Sequence, residues 1–208
     1  PWAMRLLALA IVLNAASIAD RWLRLGNGPY LTLYETLTSN LFSLAALYAL
    51  TWWFVPAIRG AAALSLPVPV VLAGWALLAD PVAGHLPPTY ETSLLQLHVI
   101  AGKLFLAPLL VAFGLSLALV GRRAGCRLPA LPADPVLAAL SWRFLVIAFV
   151  FDTAMLVLGA LWAQDAWGAY WSWDPIETWS LMTWIGLAQT LHLRAESARH
   201  PTLLAAFG

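Results

Sequence analysis

Six long apolar stretches separated by polar connections dominate the chain. They cover Trp2–Ala19, Thr36–Val55, Leu66–Ala79, Leu94–Val120, Ser141–Trp162 and Thr178–Leu193. A membrane-spanning helix needs about 20 apolar residues, so the stretches predict about six transmembrane helices. The third stretch is short and contains Pro67 and Pro69, so we expect a kinked or incomplete span. The pattern at Pro201–Gly208 predicts the first turns of a seventh helix. The pattern predicts one all-α, polytopic integral membrane domain over residues 1–208.

Composition agrees with a membrane protein. Hydrophobic residues form 62% of the chain, charged residues 10%, and the mean hydropathy is +0.81. Soluble domains average roughly 25% charged residues. Cys126 is the one cysteine, so the chain has no disulfide framework or C-x-x-C redox motif of its own. The chain begins at Pro1 without a signal-peptide cleavage pattern, so we expect the first apolar stretch to remain as a helix.

The arginines predict the orientation. If the segment before the sixth helix is external, eight arginines lie inside and two outside. The internal ones are Arg5, Arg59, Arg122, Arg123, Arg127, Arg143, Arg194 and Arg199; the external ones are Arg21 and Arg24. Basic residues concentrate on the cytoplasmic side, so the segment is predicted to be periplasmic or lumenal. Most acidic residues lie in the three outer connections (21–35, 80–93 and 164–177), which we expect to form one polar, aromatic site.

The connection between the fifth and sixth helices is unusually aromatic. Six of the twelve tryptophans lie between residues 162 and 184. We predict an external loop over about residues 162–177, which could be an interfacial aromatic belt or a platform for a large flat ligand. The platform is favoured because a belt needs only about one or two tryptophans per helix end. Asp174, Pro175 and Glu177 predict a helix start with a capping box. The candidate binding residues are Trp162, Trp167, Tyr170, Trp171, Trp173, Asp174 and Trp179.

Two histidines lie inside predicted helices at opposite faces of the membrane. His98 lies near the outer end of the fourth helix, and His192 near the inner end of the sixth. Ionisable residues in membrane helices are costly and mark functional sites, and imidazole is a ligand of haem iron. Ligation by both histidines would therefore need two separate sites. Lys103 and Asp152 lie at similar predicted depth, so we also expect them to form a buried ion pair.

The segment W-G-A-Y-W-S-W-D-P-I-E-T-W, followed by L-H-L-R at Leu191–Arg194, resembles the tryptophan-rich signature of the CcsA (ResC) family of system II cytochrome c biogenesis. P-Y-L-T-L-Y-E at Pro29–Glu35 and L-L-Q-L-H-V at Leu94–Val99 match the family in the same order. The D-P-x-E-T-W continuation favours this family over related system I proteins, which share W-G-x-x-W-x-W-D. The resemblance covers nearly the whole chain.

This resemblance implies a component of a cytochrome c synthase in a bacterial inner membrane or a thylakoid. Haem b would be exported with a CcsB (ResB)-like partner, His192 matching the transmembrane ligand. The external tryptophan-rich site, with His98 as the first of two flanking histidines, would present haem for thioether attachment to a C-x-x-C-H apocytochrome c. The second flanking histidine lies beyond another helix in the family, and residues up to Gly208 supply no match to it. Nucleic acid is not expected as a partner. The alternatives are a non-catalytic haem-binding subunit of an electron-transfer complex and a structural scaffold.

Overall fold

The structure, a computed structural model, describes residues 2–128 and 130–199, without the side chains of residues 197–199. Its helices are α1 (Trp2–Leu25), α2 (Leu33–Phe54), α3 (Ala62–Ser65), α4 (Pro67–Leu78), α5 (Ser93–Arg123), α6 (Asp134–Trp167) and α7 (Pro175–Arg199). Short 3₁₀ helices cover Pro56–Ala61 and Pro88–Tyr90. The all-α prediction is confirmed for the described residues. The expected seventh span at Pro201–Gly208 lies outside them.

Several helices extend beyond the apolar stretches that predicted them. In α1, polar residues continue the helix because Arg24 pairs with Asp20 one turn earlier, at 2.6 Å. The α2 helix starts earlier than predicted, since Thr32 caps it and Glu35 completes a capping box. Hydropathy detects the lipid-facing core of each helix, whereas capping and charge pairs determine where the helix ends.

The third apolar stretch forms one short helix, α4, of 12 residues, and the bend lies at its start instead of within it. The segments Pro56–Ser65 and Pro67–Leu78 meet at a bend of 49°. Within the described ranges, α1, α5 and α6 are long and apolar enough to cross a membrane, and the bent pair makes up to four such spans. The six-span count therefore remains a prediction for α2 and α7, although these helices contain 22 and 25 residues.

The α5–α6 pair forms the centre of the molecule. One buried cluster joins Leu115 of α5 to Leu137 of α6 and to Ile58 of the 3₁₀ segment. A second joins Phe105 of α5 to Ala148 of α6 and Leu187 of α7. The α1 helix packs on α2 and buries none of its residues. The long central pair therefore fixes how far apart the two ends of the molecule lie.

The predicted ion pair between Lys103 and Asp152 is wrong. Lys103 Nζ instead donates to Ser39 Oγ at 2.8 Å and to Asn40 Oδ1 at 3.0 Å, both on α2. Asp152 is fully buried, and neither carboxylate oxygen has a hydrogen-bond partner. The two residues have similar depth, but Lys103 projects from the side of α5 that faces α2 rather than α6.

Candidate functional site at the aromatic end of α6

The tryptophan-rich segment is mostly helical rather than a loop over residues 162–177. The α6 helix continues through Trp162 to Trp167, and Trp179 lies on the first turns of α7. Gly168 ends α6 in the left-handed conformation with φ +79°, and its N–H donates to Gln164 O at 2.9 Å. The connection between α6 and α7 is therefore residues 168–174, and Trp162 and Trp167 lie on α6. The prediction missed this because the aromatic last turns of the helix have the composition of a loop.

An aromatic cluster lies where the connection between α4 and α5 meets the end of α6. Trp162 and Trp167 contact each other edge to face, with ring centroids 5.0 Å apart. Tyr90 approaches them at 5.1 and 6.3 Å, respectively. Trp162 Nε1 also donates to Thr89 O at 2.9 Å. Such edge-to-face contacts favour one orientation of each ring, so the cluster presents a fixed aromatic surface.

The connection 168–174 presents a second aromatic pair. Trp171 and Trp173 pack edge to face at 5.8 Å. Trp173 has φ +63°, a conformation that costs an L-residue about 1–2 kcal/mol, and its side chain is 70% exposed. Trp171 Nε1 is buried and has no hydrogen-bond partner. Backbone strain and exposure at Trp173, with an unsatisfied donor at Trp171 two residues earlier, are features that occur at binding surfaces.

The start of α7 holds this pair in position. Asp174 Oδ1 accepts the Glu177 N–H at 2.8 Å, which confirms the predicted cap. The second half of the predicted capping box is wrong. Glu177 Oε2 accepts from the N–H and hydroxyl of Ser172, at 2.7 and 3.1 Å, instead of reaching back to Asp174. The carboxylate therefore ties the residue between the two tryptophans to the helix.

The three connections that were predicted to be external meet one another, as the acidic pattern predicted. Arg21 pairs with Glu35 at 2.9 Å and donates to Pro81 O and Val82 O, which joins the first connection to the second. Burial, together with the negative charge of Glu91, raises the pKa of the Tyr30 phenol. The second connection in turn contacts the end of α6 through Thr89 and Tyr90, which no sequence motif indicated.

His98 contacts α6 about two turns before the aromatic cluster. Its Nδ1 is 2.8 Å from Met155 O on α6. A carbonyl oxygen can only accept, so Nδ1 carries the hydrogen and Nε2 keeps its lone pair when the imidazole is neutral. Met155 is seven residues before Trp162 on the same helix, about 10 Å along its axis. No sequence pattern indicated this contact, since any residue supplies a backbone carbonyl.

His192 lies at the other end of the molecule. Arg194, two residues later, donates to Ala138 O near the start of α6 and stacks on Trp142. Ala138 and Met155 are 17 residues apart on α6, about 26 Å along its axis. His192 is exposed, on a face of α7 that also exposes Met182 and Ile185. The structure thus separates the two histidines, as predicted, and they cannot contact one iron atom.

Comparison with known proteins agrees with this arrangement. Residues 30–208 match the family model described as cytochrome C assembly protein. The chain is 31% identical to the cytochrome c biogenesis protein CcsA of Synechococcus sp. (strain CC9902), over 100% of this chain and 80% of the relative. It is 32% identical to the CcsA of Parasynechococcus marenigrum (strain WH8102), over 98% and 78%.

The chain belongs to the CcsA family. The CcsA of Chlamydomonas reinhardtii is 32% identical, over 90% of this chain and 57% of the relative. Membership confirms the resemblance carried by the tryptophan-rich signature. It establishes a membrane protein of cytochrome c biogenesis, and the roles of the individual residues remain proposals.

Proposed function

We propose that this CcsA family member carries haem b across the membrane and presents it externally for thioether attachment to a C-x-x-C-H apocytochrome c. The observation that carries the proposal is the juxtaposition of His98 with the aromatic end of α6. A hydrogen-bonded imidazole with its second nitrogen unprotonated lies about two helical turns from Trp162. Haem supplies the iron and the vinyl groups, and the client supplies the two thiols.

The aromatic residues act as the external haem platform. Six aromatic side chains offer apolar faces for a porphyrin. The residues Trp167, Tyr170, Trp173 and Trp179 are more than half exposed, and Trp162 and Trp171 are partly buried. The unsatisfied Trp171 N–H is a donor for a haem acceptor group, and binding would offset the cost of about 1–3 kcal/mol for leaving it buried and unpaired. Asp174 supports the platform by capping α7 rather than by touching iron.

His192 serves an inner, membrane-embedded haem site in this proposal. His192 is exposed on the face of α7 that points away from α6, since α6 covers the opposite face. This exposure supports a second iron ligand from another protein. A CcsB-like membrane partner would cover the exposed face. The inner and outer sites would then act in sequence, with haem passing from His192 to His98. The outer site is periplasmic or lumenal, as the arginine distribution indicates.

Co-expression with a CcsB-like partner and a C-x-x-C-H client tests the proposal. We expect a haem-stained client band that survives a denaturing gel. An identical culture with client cysteines replaced by serine is the control, because it removes the nucleophiles and leaves haem binding intact. Haem that is extracted from the complex, with no covalent product in either culture, contradicts the proposal and favours the electron-transfer subunit.

A further inference from the structure

The side of α6 that receives the His98 ring lacks a side chain at one position. Gly159 lies one turn after Met155, and its N–H is the usual helical partner of Met155 O. A helical side chain covers the turn that precedes its own Cα. The missing side chain at Gly159 therefore uncovers the carbonyl that accepts from His98.

The ring occupies the space that a side chain at this position would need. A Cβ added to Gly159 would lie 2.7 Å from His98 Nδ1 and 2.9 Å from Cε1. Both distances are shorter than real Cβ contacts, so one group must move. The His98 ring turns about two side-chain torsions, whereas the α6 backbone is fixed by its packing on α5, so the ring is the group that moves.

We propose that Gly159 is a positioning residue that sets the tautomer and direction of the His98 imidazole. With glycine, the ring lies against α6, donates from Nδ1 to Met155 O and leaves Nε2 for a ligand. With any larger residue, the ring loses this bond, and the hydrogen is no longer confined to Nδ1. This inference rests on the proposed function only where it names haem iron as the ligand; the tautomer effect belongs to the haem-free protein.

Two glycines provide matched controls for Gly159→Ala. Gly74 on α4 has no atom within 4 Å of an added Cβ, so Gly74→Ala reports the effect of the substitution alone. At Gly114 on α5 an added Cβ would lie against the Ser65 hydroxyl, so Gly114→Ala reports a steric clash away from His98. His98→Ala identifies the histidine signals and removes the ring.

The first readout is ¹⁵N NMR of histidine-labelled, haem-free full chain. We expect the His98 signals of the Nδ1–H tautomer in the parent, in Gly74→Ala and in Gly114→Ala, and their shift or loss in Gly159→Ala. Unchanged His98 signals in Gly159→Ala overturn the inference. If Gly159→Ala is too unstable for NMR, its change in Tm is compared in the parent and in the His98→Ala background. The inference requires the loss of Tm to disappear without the ring, and an equal loss in both overturns it.

The second readout is haem titration in a His192→Ala background, which removes the inner ligand. We expect Gly159→Ala to weaken haem binding about 10- to 100-fold, as loss of a partner to a ligating histidine usually does, and Gly74→Ala to leave it unchanged. Binding that is weakened by His98→Ala but equal in Gly159→Ala and Gly74→Ala overturns the inference alone. Binding unaffected by His98→Ala overturns the proposed external ligand, while the NMR result still decides the tautomer.

Discussion

At the scale of single residues, Lys103 of α5 and Asp152 of α6 are ionisable residues within apolar helices and have opposite environments. Lys103 is satisfied by Ser39 and Asn40 of α2, so it joins α5 to α2. Asp152 is buried with both oxygens unpaired. An unsatisfied buried group lowers stability, whereas a satisfied charged group raises it. The two positions should therefore respond to substitution in opposite ways.

Lys103→Met should lower the free energy of unfolding by about 1.5–3 kcal/mol, since two hydrogen bonds from a charged donor are lost. Asp152→Leu should leave stability unchanged or raise it, because a carboxyl without partners is replaced by an apolar group of similar size. Thermal unfolding in one detergent measures both, with Asp152→Asn as the isosteric control. Equal destabilisation by both substitutions, with no further loss in the double variant, would instead indicate an ion pair.

At the scale of elements, the sequence predicted the existence of the helices better than their ends. It also predicted poorly which neighbour each side of a helix contacts. Apolar stretches and prolines predicted the helices and the bend near Pro67 because lipid exposure and a missing N–H act locally. The extension of α6 to Trp167 was missed because an aromatic helix end and an aromatic loop have the same composition. Depth along a helix also says nothing about direction around it, which is why Lys103 and Asp152 were wrongly paired.

The connection 168–174 should depend on Glu177. In Glu177→Ala, the Ser172 amide loses its carboxylate acceptor, and we expect its hydrogen exchange to rise about tenfold, the equivalent of 1.4 kcal/mol. Glu177→Gln keeps an acceptor oxygen and should remain close to the parent. Hydrogen-exchange mass spectrometry over residues 168–176 gives the measurement. An unchanged rate in Glu177→Ala would mean that α7 does not hold the tryptophan pair.

At the scale of the whole molecule, α5 and α6 separate the proposed sites. His98 and the aromatic cluster lie at one end of the pair, and His192 lies beside the other end. The family membership and these positions fit a protein that passes one ligand between two places. The direction of passage depends on which end faces outward, and the arginine distribution predicts that the aromatic end does.

The single cysteine allows this orientation to be measured. Cys126 is exposed in the predicted inner connection, so an impermeant maleimide should label it only after the cells are permeabilised. In a Cys126→Ser, Ala169→Cys variant, the new thiol lies in the exposed connection after α6 and should be labelled in intact cells. Labelling of Cys126 in intact cells would reverse the assignment and place the aromatic end inside.

In the proposed function, haem binds at His192 first and at His98 second. The most direct measurement is the ratio of haem to protein, together with covalent client, in complexes purified with the CcsB-like partner. We expect His192→Ala to lose both bound haem and covalent client. We expect His98→Ala to retain haem at the inner site and to make no covalent client. Covalent client at the parental level in His98→Ala, or in His192→Ala, would contradict it.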